Sequence, residues 1–119
     1  MQYMLLIYGN EAATHGMSEP QASERMAAYV AYTKALRESG ALVAGNRLSP
    51  SSNATTVRMG NGKRQVLNGP YAETKEQLGG YYLIEAPDLD AAIAWAARCP
   101  GAQTGIMEVR PIMATPMPT

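Results

Sequence analysis

Tyr3-Met4-Leu5-Leu6-Ile7-Tyr8 is a short apolar run closed by Gly9-Asn10, the pattern of a β-strand. It does not alternate, so both faces are apolar, as expected of a strand covered on two sides. The polar segment from Glu11 to Met17 reads as a loop. Ser18-Glu19-Pro20-Gln21 then opens a helix over 18–39, with Ser18 as N-cap, Gln21 at the capping-box position and Pro20 in the first turn. Ala22, Met26, Tyr29, Val30, Thr33 and Leu36 or Arg37 recur at helical spacing, and Gly40 stands where a C-terminal cap belongs. Ala41 to Gly45 predicts a second strand, and Leu48 to Asn53 a loop. Thr55–Met59 and Lys63–Leu67 flank Gly60-Asn61-Gly62, a hairpin signal because Asn and Gly accept the positive φ of tight turns. This hairpin is the more polar part of the sheet and is expected at its edge.

The stretch from Asn68 to Gly80 follows, and the chain is organised around it. Asn68-Gly69-Pro70 forces a turn, Tyr71 to Gln77 is a polar run of mixed sign, and Gly79-Gly80 leads into the apolar strand Gly80–Glu85. Asp88 is the expected N-cap of a second helix, with Leu89, Ile93, Ala96 and Cys99 as its inner stripe and Pro100-Gly101 as its end. Gly105 to Ile112 predicts the last strand, and 114–119 a frayed tail after one domain over 1–113. Strand, helix, strand, hairpin, strand, helix, strand is the order of an α+β, ferredoxin-like sandwich with an added β-hairpin. Two helices cover only one face of such a sheet. The two-sided apolar strands therefore predict a homodimer that buries the other face.

Composition narrows the class without changing that picture. The chain is 46% hydrophobic and 17% charged, which is globular rather than disordered. Ten acidic and ten basic side chains give no net charge, so nothing favours nucleic acid or an anionic membrane as a partner. A single cysteine, Cys99, forms no internal disulfide and suits a reducing cytoplasm. No apolar run approaches membrane-spanning length and no leader pattern opens the chain. A soluble, cytoplasmic protein is the expectation.

The run from Asn68 to Tyr82, Asn-Gly-Pro-Tyr-Ala-Glu-Thr-Lys-Glu-Gln-Leu-Gly-Gly-Tyr-Tyr, resembles the signature of the YCII-related proteins, in their DGPF-domain branch. The opening Tyr3–Tyr8 and the closing Glu108-Val109-Arg110-Pro111 resemble that branch's two ends. Asn68 stands where the branch has Asp, and Tyr71 where it has Phe. The resemblance implies a ferredoxin-like fold pairing through its sheets into a dimeric α+β barrel, and no established activity. Genes of the branch often neighbour those of extracytoplasmic-function sigma factors, which implies a regulatory or stress role. A related branch is similar to an enzyme with a histidine on the first helix and an aspartate after the second. Those positions fall near Tyr29 and at Cys99 here, so the dyad is missing.

The densest polar cluster is Asn68, Tyr71, Glu73, Lys75, Glu76 and Gln77. As a pocket wall, Glu73 is a base or acceptor, Lys75 an anion contact, and Asn68 with Tyr71 hydrogen-bond donors. As plain surface, the charges are a solvated face, and Asn68 pins the turn by accepting from the backbone of Tyr71 or beyond. Tyr8, Tyr81 and Tyr82 place hydroxyls on apolar strands, either for a ligand or for ordinary packing. Arg110 is a carboxylate contact or an ion-pair partner of Glu108 and Glu85. His15 has no ligand-type neighbour at metal spacing, so neither a metal nor another cofactor is expected. If the family's Asp were a base or a metal ligand, the amide of Asn68 would end that role. Three functions remain open. They are small-molecule binding beside the 68–82 motif in an accessory role, cofactor-free catalysis with Glu73 and Tyr81 as acid–base groups, and protein interaction, for example with a sigma factor.

Overall fold

The computed structural model describes residues 1–115; the frayed tail expected over 114–119 lies outside them from Pro116 onward. Six strands and four helices follow in the order β1 (Gln2–Gly9), α1 (Glu11–His15), α2 (Glu19–Ser39), β2 (Leu42–Arg47), β3 (Thr55–Gly60), β4 (Lys63–Asn68), β5 (Gln77–Glu85), α3 (Leu89–Arg98), α4 (Gly101–Thr104) and β6 (Ile106–Pro111). The main sheet runs β2-β5-β1-β6, with every neighbouring pair antiparallel. This α+β architecture is compatible with a ferredoxin-like fold.

The long helix is built as its sequence predicts. Ser18 accepts from Gln21 N–H, Gln21 returns the bond to the Ser18 backbone, and Gly40 closes the helix with φ 81°. Its expected inner stripe holds at Tyr29, Thr33 and Leu36 and fails at Met26 and Val30. Tyr32 and Leu36 are the buried positions, while Met26 and Val30 are exposed. Arg25, in the N-terminal half of α2, donates to the Thr14 hydroxyl of α1 at 3.4 Å. The segment expected as a loop over 11–17 is helical over its first turn because Asn10 caps it, accepting from Ala13 N–H at 3.1 Å. In α3, Asp88 caps as expected, at 2.9 Å from Ala91 N–H. The buried positions are Ala92, Ala96 and then Cys99, not Leu89 and Ile93. Small side chains let this helix approach the sheet closely; Leu89 and Ile93 are exposed, while Trp95 packs against the core. The helix ends as expected before Pro100-Gly101, with Cys99 in extended backbone, and a separate single turn, α4, starts at Gly101.

Along β1, Tyr3 and Leu5 face the helices. Tyr82 and Ile84 do so from β5, and Met107 and Val109 from β6. Tyr32 packs edge-on against Tyr82 at 5.3 Å between centroids, and the Tyr82 hydroxyl meets that of Thr33 at 2.7 Å. The β3–β4 hairpin is not an edge of this sheet. It forms a separate two-stranded ribbon, with Asn61 and Gly62 at φ 50° and 73° in its turn. Its root lies at the end of the sheet where β1 finishes and β5 begins.

Candidate functional site

The helix-free face is a lattice read from the strand register. Residues directly opposite in antiparallel strands share a face. Across the middle run Asn46, Tyr81, Leu6 and Glu108, one from each strand. One row nearer the start of β1 are Ala44, Leu83, Met4 and Arg110. One row further on, Tyr8 stands between Leu78 and Ile106, past a bulge at Ile7/Tyr8.

Polar groups on this face engage one another around the apolar centre. Asn46 Nδ2 donates to the Tyr81 hydroxyl at 2.9 Å. The Tyr8 hydroxyl points at Glu108 Oε1 at 3.4 Å, and Arg110 bridges the same carboxylate's other oxygen at 3.2 Å. Glu108 is held between a phenol and a guanidinium with lone pairs to spare. Leu6 separates this cluster from the Tyr81–Asn46 pair. The arrangement offers a carboxylate acceptor, an amide, two phenols and a cation on an apolar floor. Among the described residues no three His, Cys, Asp or Glu side chains gather as metal ligands.

Of the sequence-predicted set, Tyr8 and Arg110 meet at Glu108 and Tyr81 shares their face across Leu6, while the rest of that set stays off the face. Tyr71 is 90% exposed, and Asn68, Glu73 and Lys75 are exposed as well. The Asn68 side chain does not pin its turn. Gly69, at φ 103°, donates its N–H to the Ala54 carbonyl at 2.6 Å, and the Thr56 hydroxyl donates to the Gly69 carbonyl at 2.8 Å. Gln77 accepts from Glu11 N–H at 3.0 Å and donates to the Thr74 carbonyl at 2.5 Å, so it ties the motif to α1. Glu11 in turn accepts from both the hydroxyl and the N–H of Ser51 at 2.7 Å. Those bonds hold its carboxyl below the usual range. Two residues of the face were missed. Asn46 falls between the strand expected over 41–45 and the loop expected over 48–53, and Glu108 reads from the sequence as a plain ion-pair partner. Only the β2–β5 register could have brought Asn46 forward.

A second candidate region lies on the helix side. A shallow groove of about 530 Å³ is lined by Gly9, Asn10, Thr14, Gln21, Arg25 and Gln103, among others. Tyr29 and Cys99 sit against each other nearby. Burial pushes the Tyr29 hydroxyl up to about 12, with the Cys99 thiol adding to the shift. Burial likewise raises the Cys99 thiol, opposed by the Gly101 N–H and the Tyr29 hydroxyl. Burial favours the neutral form of both groups, so the pair is packing.

A protein of Rhizobium meliloti (strain 1021), described as uncharacterized, is 39% identical over 114 residues, covering 94% of this chain and 92% of that one. A family profile described as YCII-related domain matches residues 1–116, and the chain belongs to that family.

Proposed function

We propose that this protein is a small homodimeric binding protein in an accessory or regulatory role, working in the cytoplasm. Its ligand is a small, flat, mostly apolar molecule held on the helix-free sheet face. The observation that carries this reading is the convergence of Tyr8, Tyr81, Asn46, Glu108 and Arg110 around Leu6. The apolar floor binds the body of the ligand, Glu108 accepts from a hydroxyl or amine, and Asn46 with Tyr81 meets a second polar group. Ligand-detected NMR with a panel of small aromatic alcohols, amines and carboxylates tests this. Hits that bind the parent and are lost in both Tyr81→Phe and Glu108→Gln support the site. Hits unaffected by either substitution remove it.

A second reading, cofactor-free catalysis, is favoured by the Tyr8–Glu108 contact alone, since a carboxylate on a phenol is a proton-transfer pair. Glu73 has no part in it, for it stands on the exposed loop away from Tyr81. Turnover that depends on Tyr8 and Glu108 together would replace binding with chemistry.

A further inference from the structure

The β3–β4 ribbon is two strands wide and shares no ladder with the main sheet. A hairpin of that width is marginal in water, and a third strand is what steadies it. Its turn, Asn61-Gly62, joins Gly60 directly to its partner Lys63, which fixes the alternation of hydrogen-bonded pairs along the ladder. Val57 and Met59 on β3, and Arg64 and Val66 on β4, therefore turn their N–H and C=O groups outward. None of these groups has a backbone partner elsewhere among the described residues. The two open edges are unlike. β4 begins with Lys63-Arg64, adjacent charges of the kind that keep a further strand away. β3 reads Thr55-Thr56-Val57-Arg58-Met59, with Val57 and Met59 on one face and Thr56 and Arg58 on the other. Its two apolar side chains are 59% and 67% exposed.

We propose that the β3 edge takes up an extended segment of another protein, one in which acidic and apolar residues alternate. Charge selects the acids. Between Glu38 and Glu73 the chain carries Arg47, Arg58, Lys63 and Arg64 and no acid at all, although its total charge balances. None of these four cations belongs to an ion pair among the described residues, so an arriving carboxylate meets an unneutralised guanidinium at Arg58. Register selects the alternation. A strand laid along β3 sets every second side chain beside Val57 and Met59 and the others beside Thr56 and Arg58. Main-chain bonds to the outward groups of Val57 and Met59 hold the segment, and the two rows of side chains choose it. A second copy does not fit this description, because no strand of the chain carries more than one acid. The added strand completes a three-stranded sheet with one apolar face. This docking edge is separate from the sheet face proposed above as the ligand site and does not rest on it.

Fluorescence anisotropy with labelled, capped peptides the length of β3 tests it. One peptide alternates glutamate and valine, a second alternates lysine and valine, and a third gathers the glutamates and valines of the first into two blocks. The alternating acidic peptide should bind the full chain about tenfold or more tightly than either control. Arg58→Glu, a change at an exposed position, should reverse the order of the two alternating peptides. Methylating the backbone nitrogens along one edge of the acidic peptide should abolish binding while leaving the protein untouched. In the complex, amide exchange should slow at Val57 and Met59. Equal binding of the block and alternating peptides, slowing at Arg64 and Val66 instead, or unchanged selectivity in Arg58→Glu would overturn the proposal. Absence of binding would do the same. Amides of Val57 and Met59 already protected in the free protein would show the edge to be covered, by a second copy or by its own chain, and would also sink it. So would duplex DNA that displaces the peptide and loses its hold in Arg58→Glu, since the cations would then serve phosphates.

Discussion

The chain contains no phenylalanine, so every buried ring brings a hydroxyl or an indole N–H that must be placed. Tyr32 gives its hydroxyl to the Trp95 carbonyl at 2.7 Å, tying α2 to the last turns of α3. Tyr32→Phe should lower stability by about 1 kcal/mol, the net worth of one such bond, and a thermal melt reads it. Titration adds a second expectation. The Tyr29 hydroxyl ionises near 10 when the chain is unfolded and near 12 when folded. The unfolded state therefore loses its proton first, and the stability this group supplies, complete below pH 10, is lost as pH rises toward 12. Tyr29→Phe should flatten that part of the stability curve by about 1 kcal/mol, allowing for partial exposure of the ring. The Asn-Gly-Pro turn gives the third. Thr56→Val should cost about 1 kcal/mol by orphaning the Gly69 carbonyl, whereas Asn68→Ala should melt close to the parent. Equal losses in the two would return the turn to Asn68.

Elements were legible wherever a local rule decides them. The Ser18–Gln21 capping box, the Gly40 cap, the Asp88 cap and the Asn61-Gly62 turn all stand where spacing put them. Side-chain size misled where closeness decides. Leu89 and Ile93 read as an inner stripe because they are large, yet α3 meets the sheet through Ala92 and Ala96. The double glycine shows the same constraint from the sheet side. A Cβ on Gly80 would sit 2.8 Å from the Asn46 carbonyl oxygen of β2. Gly80→Ala should therefore push β2 off β5 and cost about 1–3 kcal/mol in a denaturant titration. Which loop residues join a site was not legible. Glu73 and Lys75 share the motif with Tyr81, but β5 begins only at Gln77 and the polar run before it stays outside. Strand register, a long-range property, gathered Asn46, Tyr81 and Glu108 instead.

At the scale of the whole molecule, the chain is a plate of one sheet and one helical layer, with its buried side chains between them. A sheet-to-sheet pairing of about 800 Å² per partner would give the second face of the plate the cover it lacks, and sedimentation at micromolar concentration should show a dimer. A well-folded monomer there would contradict it. The two layers also differ optically. The sole tryptophan, Trp95, belongs to the helical layer, with the Arg98 guanidinium 4.4 Å above its ring and Tyr32 edge-on at 6.2 Å. Its emission therefore reports loosening of α3 and energy received from Tyr32, while the opposite face of the plate carries tyrosines and no tryptophan. A compound settling on Tyr81 and Glu108 should leave tryptophan fluorescence unchanged, and heating should shift it to the red.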